Sequence, residues 1–338
     1  MKKIVVFGEV LLRLSPPDYT RFGQATAFNI YYAGAEYNTA ISLALLGLPV
    51  SFVTRLPDND LSIAAVQQLK RYGVEGNNIC YGGKRLGTYY LEQGAVMRGS
   101  KVIYDREHSS IAEIEPGLLD WKNILKDAGW FHCTGITPAV SQAAADETLT
   151  AVKMASELGL TVSIDLNYRS KLWQYGKHPK EVMPEIMKYC NVVLGDMNTV
   201  KTYFEIESAE QDKKDSYKDC MQQLKKMFPN LQHIIFSFRD THSVTNNSIG
   251  AFNLNSDKLI ESTVFNMQGM VDRLGGGDAL MVGIIYGLNK FKDNPQKSID
   301  FAVAAAALKS SIPGDTNFVT EDEILSLMQG NTSGKINR

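Results

Sequence analysis

The residues best suited to chemistry lie together near the end of the chain. Three consecutive glycines, Gly275, Gly276 and Gly277, precede Asp278 and an apolar run that predicts a buried helix over residues 279–286. Glycine leaves backbone N–H groups uncovered, and a helix start favours an anion. The amides can therefore hold a transferring phosphoryl group while Asp278, expected to be ionised at neutral pH, accepts a proton from an attacking hydroxyl. A flexible turn with an aspartate near a helix cap is the alternative.

Two further polar clusters flank predicted secondary structure. Gly34 precedes the first predicted helix and lets backbone approach a ligand, while Asn38 offers a donor and an acceptor to a hydroxyl. Asn167 and Arg169 follow a predicted strand, and the guanidinium fork suits a carboxylate or phosphate. A loop glycine with an N-cap asparagine, and a surface arginine in a loop, are the alternatives.

A segment over residues 86–108 carries a third cluster. Its residues alternate between polar and apolar with a period of two, which indicates two half-exposed strands. That period places Tyr104 and Arg106 on one face with Val102. An aromatic ring beside a cation can clamp a sugar acid, or the two can be a simple surface pair. We interpret this segment, with strands from about residues 11–32, as a small β lid.

The remaining elements must position these clusters. Apolar β-rich runs alternate with helical patterns along the chain, which predicts a mainly parallel sheet covered on both faces. Predicted strands cover residues 4–7, 50–54, 130–134, 161–166, 191–194 and 233–238, and predicted helices include 38–46, a helix from Asp60 as cap to 72, and 139–158. Ligands of such sheets bind outside the carboxyl ends of the strands, where Asn167 and Arg169 emerge. A single domain over residues 1–328 and a tail over 329–338 are expected.

Composition excludes several classes of function. The chain has 338 residues, 44% hydrophobic and 21% charged, with a net charge of −2, so neither nucleic acid nor a membrane surface is an expected partner. Four scattered cysteines without a CxxC pair indicate reduced thiols, and the first apolar run is too short for a signal peptide. A cytoplasmic location is therefore expected. The first strand lacks a following GxGxxG motif, which counts against a dehydrogenase.

The clusters together resemble the PfkB (ribokinase-like) carbohydrate kinases. The resemblance rests on Gly34 with Asn38, on Asp165-Leu166-Asn167-Tyr168-Arg169 and on Gly275-Gly276-Gly277-Asp278, and it extends over residues 4–328. Within the family, several strings are most similar to kinases that act on 2-keto-3-deoxygluconate. These strings are Tyr104-Asp105-Arg106, Gly135-Ile136-Thr137-Pro138, Leu172-Trp173, Val271-Asp272-Arg273 and Ile312-Pro313-Gly314-Asp315.

The resemblance implies a ribokinase-like three-layer α/β/α core, a mainly parallel sheet, a small β-sheet lid and ATP with Mg²⁺ as cofactors. It implies phosphorylation of the sugar acid at O6, with Asp278 as base and Gly275 to Gly277 as anion hole. The sugar acid would be held by Gly34, Asn38, Tyr89, Tyr104, Arg106 and Arg169. The ATP would be held by Asn167, Ser237, Arg239, Gly276 and Gly314, with residues 307–314 near the adenine. The lid implies a homo-oligomer, a dimer or higher.

The metal site departs from the family pattern. An Asn-x-x-Glu pattern is usual after the strand at 191–194, whereas this chain has Asp196-Met197-Asn198-Thr199. Asp196 can still serve Mg²⁺ through water, because the ion keeps several waters and binds substrate phosphates. No metal ligand is assigned. Another family kinase acting on fructose or a related ketose, and a non-catalytic sugar- or nucleotide-binding homologue, remain the alternatives.

Overall fold

The computed structural model describes residues 1–331. Most of the predicted tail, residues 332–338, lies outside the described residues. The strands are β1 Lys3–Phe7, β2 Leu11–Ser15, β3 Asn29–Ala33, β4 Val50–Leu56, β5 Glu75–Tyr81, β6 Gly87–Glu92, β7 Lys101–Asp105, β8 Ala128–Thr134, β9 Thr161–Asp165, β10 Val192–Gly195, β11 His233–Thr241, β12 Asn247–Asn255, β13 Lys258–Glu261 and β14 Phe265–Met267. The helices are α1 Ala35–Leu45, α2 Asp60–Arg71, α3 Trp121–Leu125, α4 Thr137–Val140, α5 Gln142–Glu157, α6 Pro179–Met187, α7 Met197–Phe204, α8 Lys213–Met227, α9 Gly276–Lys290, α10 Pro295–Lys309 and α11 Glu321–Met328, with one 3-10 turn at Phe22–Gln24.

The main sheet is parallel through its centre. Its strand order is β13-β12-β11-β10-β9-β8-β1-β4-β5, parallel from β11 to β5 and antiparallel beyond β11. Alternate residues of β1 enter opposite cores: Ile4 and Val6 pack towards α1, α9 and α10, whereas Val5 and Phe7 pack towards α3 and α5. This arrangement confirms the predicted three-layer α/β/α core, because burial on both faces explains the continuous apolar runs.

The lid is a separate sheet with strand order β3-β2-β6-β7, in which β2 and β3 lie within residues 11–33. Its pairing register aligns side chains in rows across all four strands. One row, here called the inner row, contains Tyr31, Arg13, Tyr89 and Tyr104. The adjacent row, here called the outer row, contains Ile30, Leu14, Tyr90 and Ile103. Successive residues point to opposite faces, so the two rows lie on opposite sides of the lid.

Some local predictions were wrong. Asn59, not Asp60, caps α2, because the Asn59 side chain accepts the N–H of Ser62 at 3.0 Å. The single helix predicted over residues 139–158 is two helices, because Ser141 is extended and caps α5 through the N–H of Ala144. Among residues 1–331, none of the helices has the length and apolar character needed to cross a bilayer.

Candidate active site

A cavity of about 620 Å³ lies between the inner face of the lid and the carboxyl ends of the central strands. It brings together residues that are far apart in sequence, because parallel strands deliver their ends to the same edge. All but one of the predicted site residues line it: Gly34, Asn38, Tyr89, Tyr104, Arg106, Asn167, Arg169, Ser237, Arg239, Gly275, Gly276, Gly277 and Asp278. The exception is Gly314.

Gly314 is not among the residues that line the cavity, and it hydrogen-bonds to the segment that precedes the glycine turn. It is buried, and its N–H donates to Asp272 Oδ2 at 3.1 Å, so this amide is already engaged. The same aspartate accepts the N–H of Leu274 through Oδ1 at 3.0 Å. Asp272 therefore ties together the two segments that flank the turn. The contact of Gly314 with ATP stays a prediction.

The glycine turn has a backbone that only glycine fits at its first position. Gly275 caps α9 with φ of +76°, and a Cβ atom there would overlap the carbonyl oxygen of Asp315. Gly276 and Gly277 form the first residues of α9, so their N–H groups are among those that a helix leaves without an internal partner. The turn can therefore present backbone donors to an anion in the cavity.

Asp278 is held beside this turn by Asn38. Asn38 Nδ2 donates to Asp278 Oδ2 at 2.7 Å, and Thr316 Oγ1 donates to Asn38 Oδ1 at 3.4 Å, which sets the orientation of the amide. Burial raises the pKa of Asp278 to about 8 against the lowering effect of the Asn38 hydrogen bond, and the charges of Asp165 and Asp315 raise it further. The expectation that Asp278 is ionised at neutral pH was therefore wrong, because desolvation outweighs the helix start.

Two cavity arginines, Arg239 and Arg273, have no compensating carboxylate. A Cβ atom at Gly276 would lie 3.1 Å from Arg239 Nη2, so the guanidinium is next to the turn. Burial lowers the pKa of Arg239, and the nearby charge of Arg273 lowers it further. Within residues 1–331, neither guanidinium lies within 4.0 Å of a carboxylate. Uncompensated like charges of this kind indicate a site for a polyanion.

The two arginines predicted for the sugar acid differ in environment. Arg106 is buried and paired with Glu9, with its guanidinium 5.8 Å from the ring centroid of Tyr104. Arg169 is exposed at the cavity and forms no ion pair with the described part of the chain. Arg169 is thus available to a ligand carboxylate, whereas the charge of Arg106 is already compensated.

Two carboxylates, those of Asp165 and Asp196, also line the cavity. Burial raises the pKa of Asp165 to about 7 despite the opposing charge of Arg169, and Asp196 contributes to the rise. Asp196 caps α7 by accepting the N–H of Thr199 at 2.8 Å, which leaves one of its oxygens for another partner. Among the residues described, there is no group of three or more His, Cys, Asp or Glu side chains arranged to hold a metal.

Sequence reasoning gave no role to three charged residues that line the cavity, namely Asp165, Arg273 and Asp315. A signal existed for each. Asp165 ends β9 within the same motif as Asn167, and Arg273 lies two residues before the glycines. Asp315 follows Gly314, and its side chain accepts a hydrogen bond from Tyr89 of the lid.

The sequence model of the pfkB family carbohydrate kinases matches residues 1–322 of the chain. The chain belongs to this family. It is therefore an enzyme, a carbohydrate kinase that transfers a phosphoryl group to an alcohol, and kinases of the family use ATP. The prediction of a PfkB kinase with a ribokinase-like fold is confirmed.

Several named members of the family are similar to this chain over nearly its whole length. The chain is 30% identical over 335 residues to a 2-dehydro-3-deoxygalactonokinase of Haloferax volcanii, with 98% of each chain covered. It is 37% identical to a solved 2-dehydro-3-deoxygluconokinase of Thermotoga maritima, with a TM-score of 0.92 and coverage of 98% of this chain and 100% of that one. A solved fructokinase of Xylella fastidiosa with bound ATP shares the fold at 20% identity, with a TM-score of 0.79 and coverage of 97% and 98%.

Proposed function

We propose that this kinase phosphorylates 2-keto-3-deoxygluconate (2-dehydro-3-deoxygluconate) at O6, with ATP as donor and Asp278 as base. The observation that carries the proposal is the set of three cavity arginines without a carboxylate partner among the described residues, Arg169, Arg239 and Arg273. ATP together with a sugar acid brings several negative charges into one cavity. A neutral sugar would leave Arg169 without a partner.

Asp278 would act on the sugar hydroxyl. The hydroxyl oxygen forms a bond to the γ-phosphorus, its proton passes to the Asp278 carboxylate, and the bond from the γ-phosphorus to the bridging oxygen breaks to leave ADP. Asn38 occupies Oδ2, which leaves Oδ1 without a donor among residues 1–331. Since burial raises the pKa of Asp278 to about 8, the carboxylate is a stronger base than an ordinary aspartate.

The glycine turn and its neighbours would hold the triphosphate. The N–H groups of Gly275, Gly276 and Gly277 act as the anion hole, because donors fixed before the reaction stabilise charge without reorganisation. Asn167, Ser237 and Arg239 also line the cavity and would contact the phosphates. Arg273 joins them, since its charge is close enough to influence Arg239.

Two carboxylates that line the cavity, Asp165 and Asp196, would suit Mg²⁺. Asp165 is buried with a pKa raised to about 7, and it would become ionised beside a divalent cation. Asp165 and Asp196 would hold the ion through its waters, because Mg²⁺ keeps several waters when it binds nucleotide phosphates. When bound, the ion would neutralise charge on the transferring phosphoryl group.

The substrate assignment rests on Arg169 and on the relatives. Both named relatives of at least 30% identity are kinases of dehydro-deoxy sugar acids. A planar guanidinium binds the two oxygens of a carboxylate at once, and Arg169 is exposed at the cavity. Gly34, Tyr89 and Tyr104 would enclose the rest of the sugar.

Turnover on a panel of sugars tests this proposal. Purified enzyme with MgATP is assayed by coupled ADP release on 2-keto-3-deoxygluconate, its C4 epimer and fructose, in wild type, Arg169→Leu and the matched control Lys171→Leu. Arg169→Leu removes a charged hydrogen bond to the substrate carboxylate, which is worth roughly 1.5–3 kcal/mol. Its kcat/KM for the two sugar acids should therefore fall about 10- to 100-fold, whereas its kcat/KM for fructose should not fall. Lys171 is an exposed cation in the same loop, so its variant should match wild type.

Three outcomes would overturn the assignment. Faster turnover of fructose than of either acid would make the enzyme a ketose kinase. Equal loss on fructose and on the acids would remove the role of Arg169. No turnover on any sugar, together with saturable ATP binding, would favour a non-catalytic homologue.

The outer row of the lid supports a homo-oligomer. Ile30 is 61% exposed and Ile103 is 53% exposed, and Leu14 and Tyr90 join them into one apolar band across four strands. We propose that a second copy of the chain covers this band. Ile30→Lys with Ile103→Lys should lower the mass found by light scattering, whereas Ile63→Lys, on the exposed side of α2, should not. An unchanged mass in the double variant would contradict the proposal.

We also propose a cytoplasmic location. Cys80, Cys133, Cys190 and Cys220 all carry free thiols, as expected of a chain kept in a reducing compartment. Recovery of the native enzyme from a periplasmic or secreted fraction would contradict it.

A further inference from the structure

Arg13 is a buried charge on the inner row of the lid that the proposed mechanism does not use. It is 2% exposed and lies in the middle of β2, between Tyr31 of β3 and Tyr89 of β6. Its guanidinium lies 4.8 Å from the ring centroid of Tyr31, and its Nε donates to Ser15 Oγ at 2.9 Å. A buried guanidinium is costly unless its remaining N–H groups are satisfied, so its other partners matter.

Those partners belong to the segments that support the glycine turn. Arg13 Nη2 donates to Asp272 Oδ2 at 2.7 Å, and Nη1 donates to Asp315 Oδ1. Burial alone would lower the pKa of Arg13, but the charges of Asp315 and Asp272 raise it above its usual value. Arg13 is therefore a permanent cation that bridges two buried carboxylates from one strand of the lid.

Each of these carboxylates fixes a different part of the active site. Asp272 accepts the N–H groups of Leu274 and Gly314, and so holds the residue before Gly275 and the residue before Asp315. Asp315 accepts the hydroxyl of Tyr89, and its carbonyl oxygen lies directly against Gly275. Tyr89 in turn lines the wall of the cavity, with its ring centroid 6.4 Å from that of Tyr104.

We propose that Arg13 is a positioning residue that joins the sugar-facing wall of the lid to the anion hole. The inference rests on the proposed function of this cavity. Through Asp315 the guanidinium holds Tyr89, and through Asp272 it holds the glycine turn, so the two sides of the reacting centre share one support. Arg13 itself contacts neither substrate. Its loss should displace the donors of the turn relative to the bound hydroxyl, which lowers the rate of phosphoryl transfer more than the binding of ATP.

Arg13→Lys is the direct test, because one ammonium group keeps the charge but lacks the planar fork that spans two carboxylates. Arg85→Lys is the matched control: Arg85 lies just before β6 of the lid, and its Nη1 donates to Asp105 Oδ1 of β7 at 2.7 Å, but that pair is exposed. For each variant kcat, KM for the sugar acid and Kd for ATP are measured, with Tm as a check of folding. A displacement of about 1 Å at a reacting centre can cost about 100-fold, so we expect kcat of Arg13→Lys to fall at least about tenfold. Kd for ATP should stay within about threefold, because Arg239 and Arg273 are unchanged.

Asp272→Asn is the second variant if Arg13→Lys does not fold. It keeps the size of the side chain and removes one of the two charges that Arg13 bridges, and it should lower kcat with the same retention of ATP binding. Values of kcat within about threefold of wild type in either folded variant would overturn the inference. So would an equal loss of kcat in Arg85→Lys, or a loss of ATP binding as large as the loss of kcat. Turnover by wild type and Arg85→Lys tests the proposed function separately, since both keep every residue of the proposed site.

Discussion

The raised pKa of Asp278 predicts a pH dependence that an ordinary aspartate would not give. Only the ionised carboxylate can accept the proton of the sugar hydroxyl, so activity follows the ionised fraction. With a pKa of about 8, Asp278 is about one-tenth ionised at pH 7. The value of kcat/KM for MgATP, which reports the free enzyme, should therefore rise about 30-fold between pH 6.5 and 9.5. Asp165, with a pKa of about 7, adds a second protonation that steepens the fall below neutral pH.

The assay is initial-rate kinetics across this range at constant ionic strength and saturating Mg²⁺, with the sugar acid held far below its KM so that the free enzyme is reported. Asp165→Asn provides the internal check, because the charge of Asp165 raises the pKa of Asp278. Removing that charge should move the midpoint to lower pH, whatever it does to the maximal rate. A profile that is flat from pH 6.5 to 9.5 would refute the reasoning. So would a midpoint that stays in place or rises in Asp165→Asn.

Three further predictions concern stability and binding. The folded pKa of Asp278 is raised from 3.8 to about 8, so the Asp278 carboxyl destabilises the fold increasingly as pH rises from about 4 to 8. The Tm of Asp278→Asn in calorimetry should therefore exceed that of wild type by a margin that grows with pH up to about 8. A Tm difference that is the same at every pH would contradict this. Gly159 has a φ of +74° and no atoms near an added Cβ, so Gly159→Ala should lose about 1–2 kcal/mol of free energy of unfolding in urea. Gly275→Ala should lose more, because its Cβ would also overlap Asp315. Equal losses in the two variants would contradict the prediction. Arg239→Met should raise KM for ATP about 10- to 100-fold, with KM for the sugar acid unchanged in steady-state kinetics; an equal rise in both would contradict it.

Most of the residues that the sequence singled out lie around one cavity, and they could be found from local rules. The apolar runs identified the parallel sheet, and the carboxyl end of one predicted strand identified the edge where Asn167 and Arg169 emerge beside the cavity. Period two on β7 also identified the face that carries Tyr104. These inferences need only backbone periodicity and the common direction of the strands.

The electrostatics could not be predicted in the same way. Arg106 was expected to bind the sugar acid, but its partner Glu9 lies 97 residues away and is close only in the folded chain. The pKa of Asp278 depends on burial and on Asp165 and Asp315, which come from other elements. Arg13 carried no sequence signal, because its role follows from the register of four lid strands.

The exact ends of the helices also could not be predicted from the sequence. Asn59 and Asp60 are both good capping residues, and only the backbone conformation decided that Asn59 receives the N–H of Ser62. Ser141 interrupts a sequence that otherwise suits one long helix, since its hydroxyl caps α5.

The role of Asp278 is the central claim, and Asp278→Asn tests it most directly. The variant keeps the shape of the side chain and removes the group that accepts the proton. Single-turnover transfer from ATP to the sugar acid should fall at least about 100-fold, the low end for removal of a general base, while Kd for ATP stays near that of wild type. Transfer by Asp278→Asn at a rate close to wild type would contradict the account.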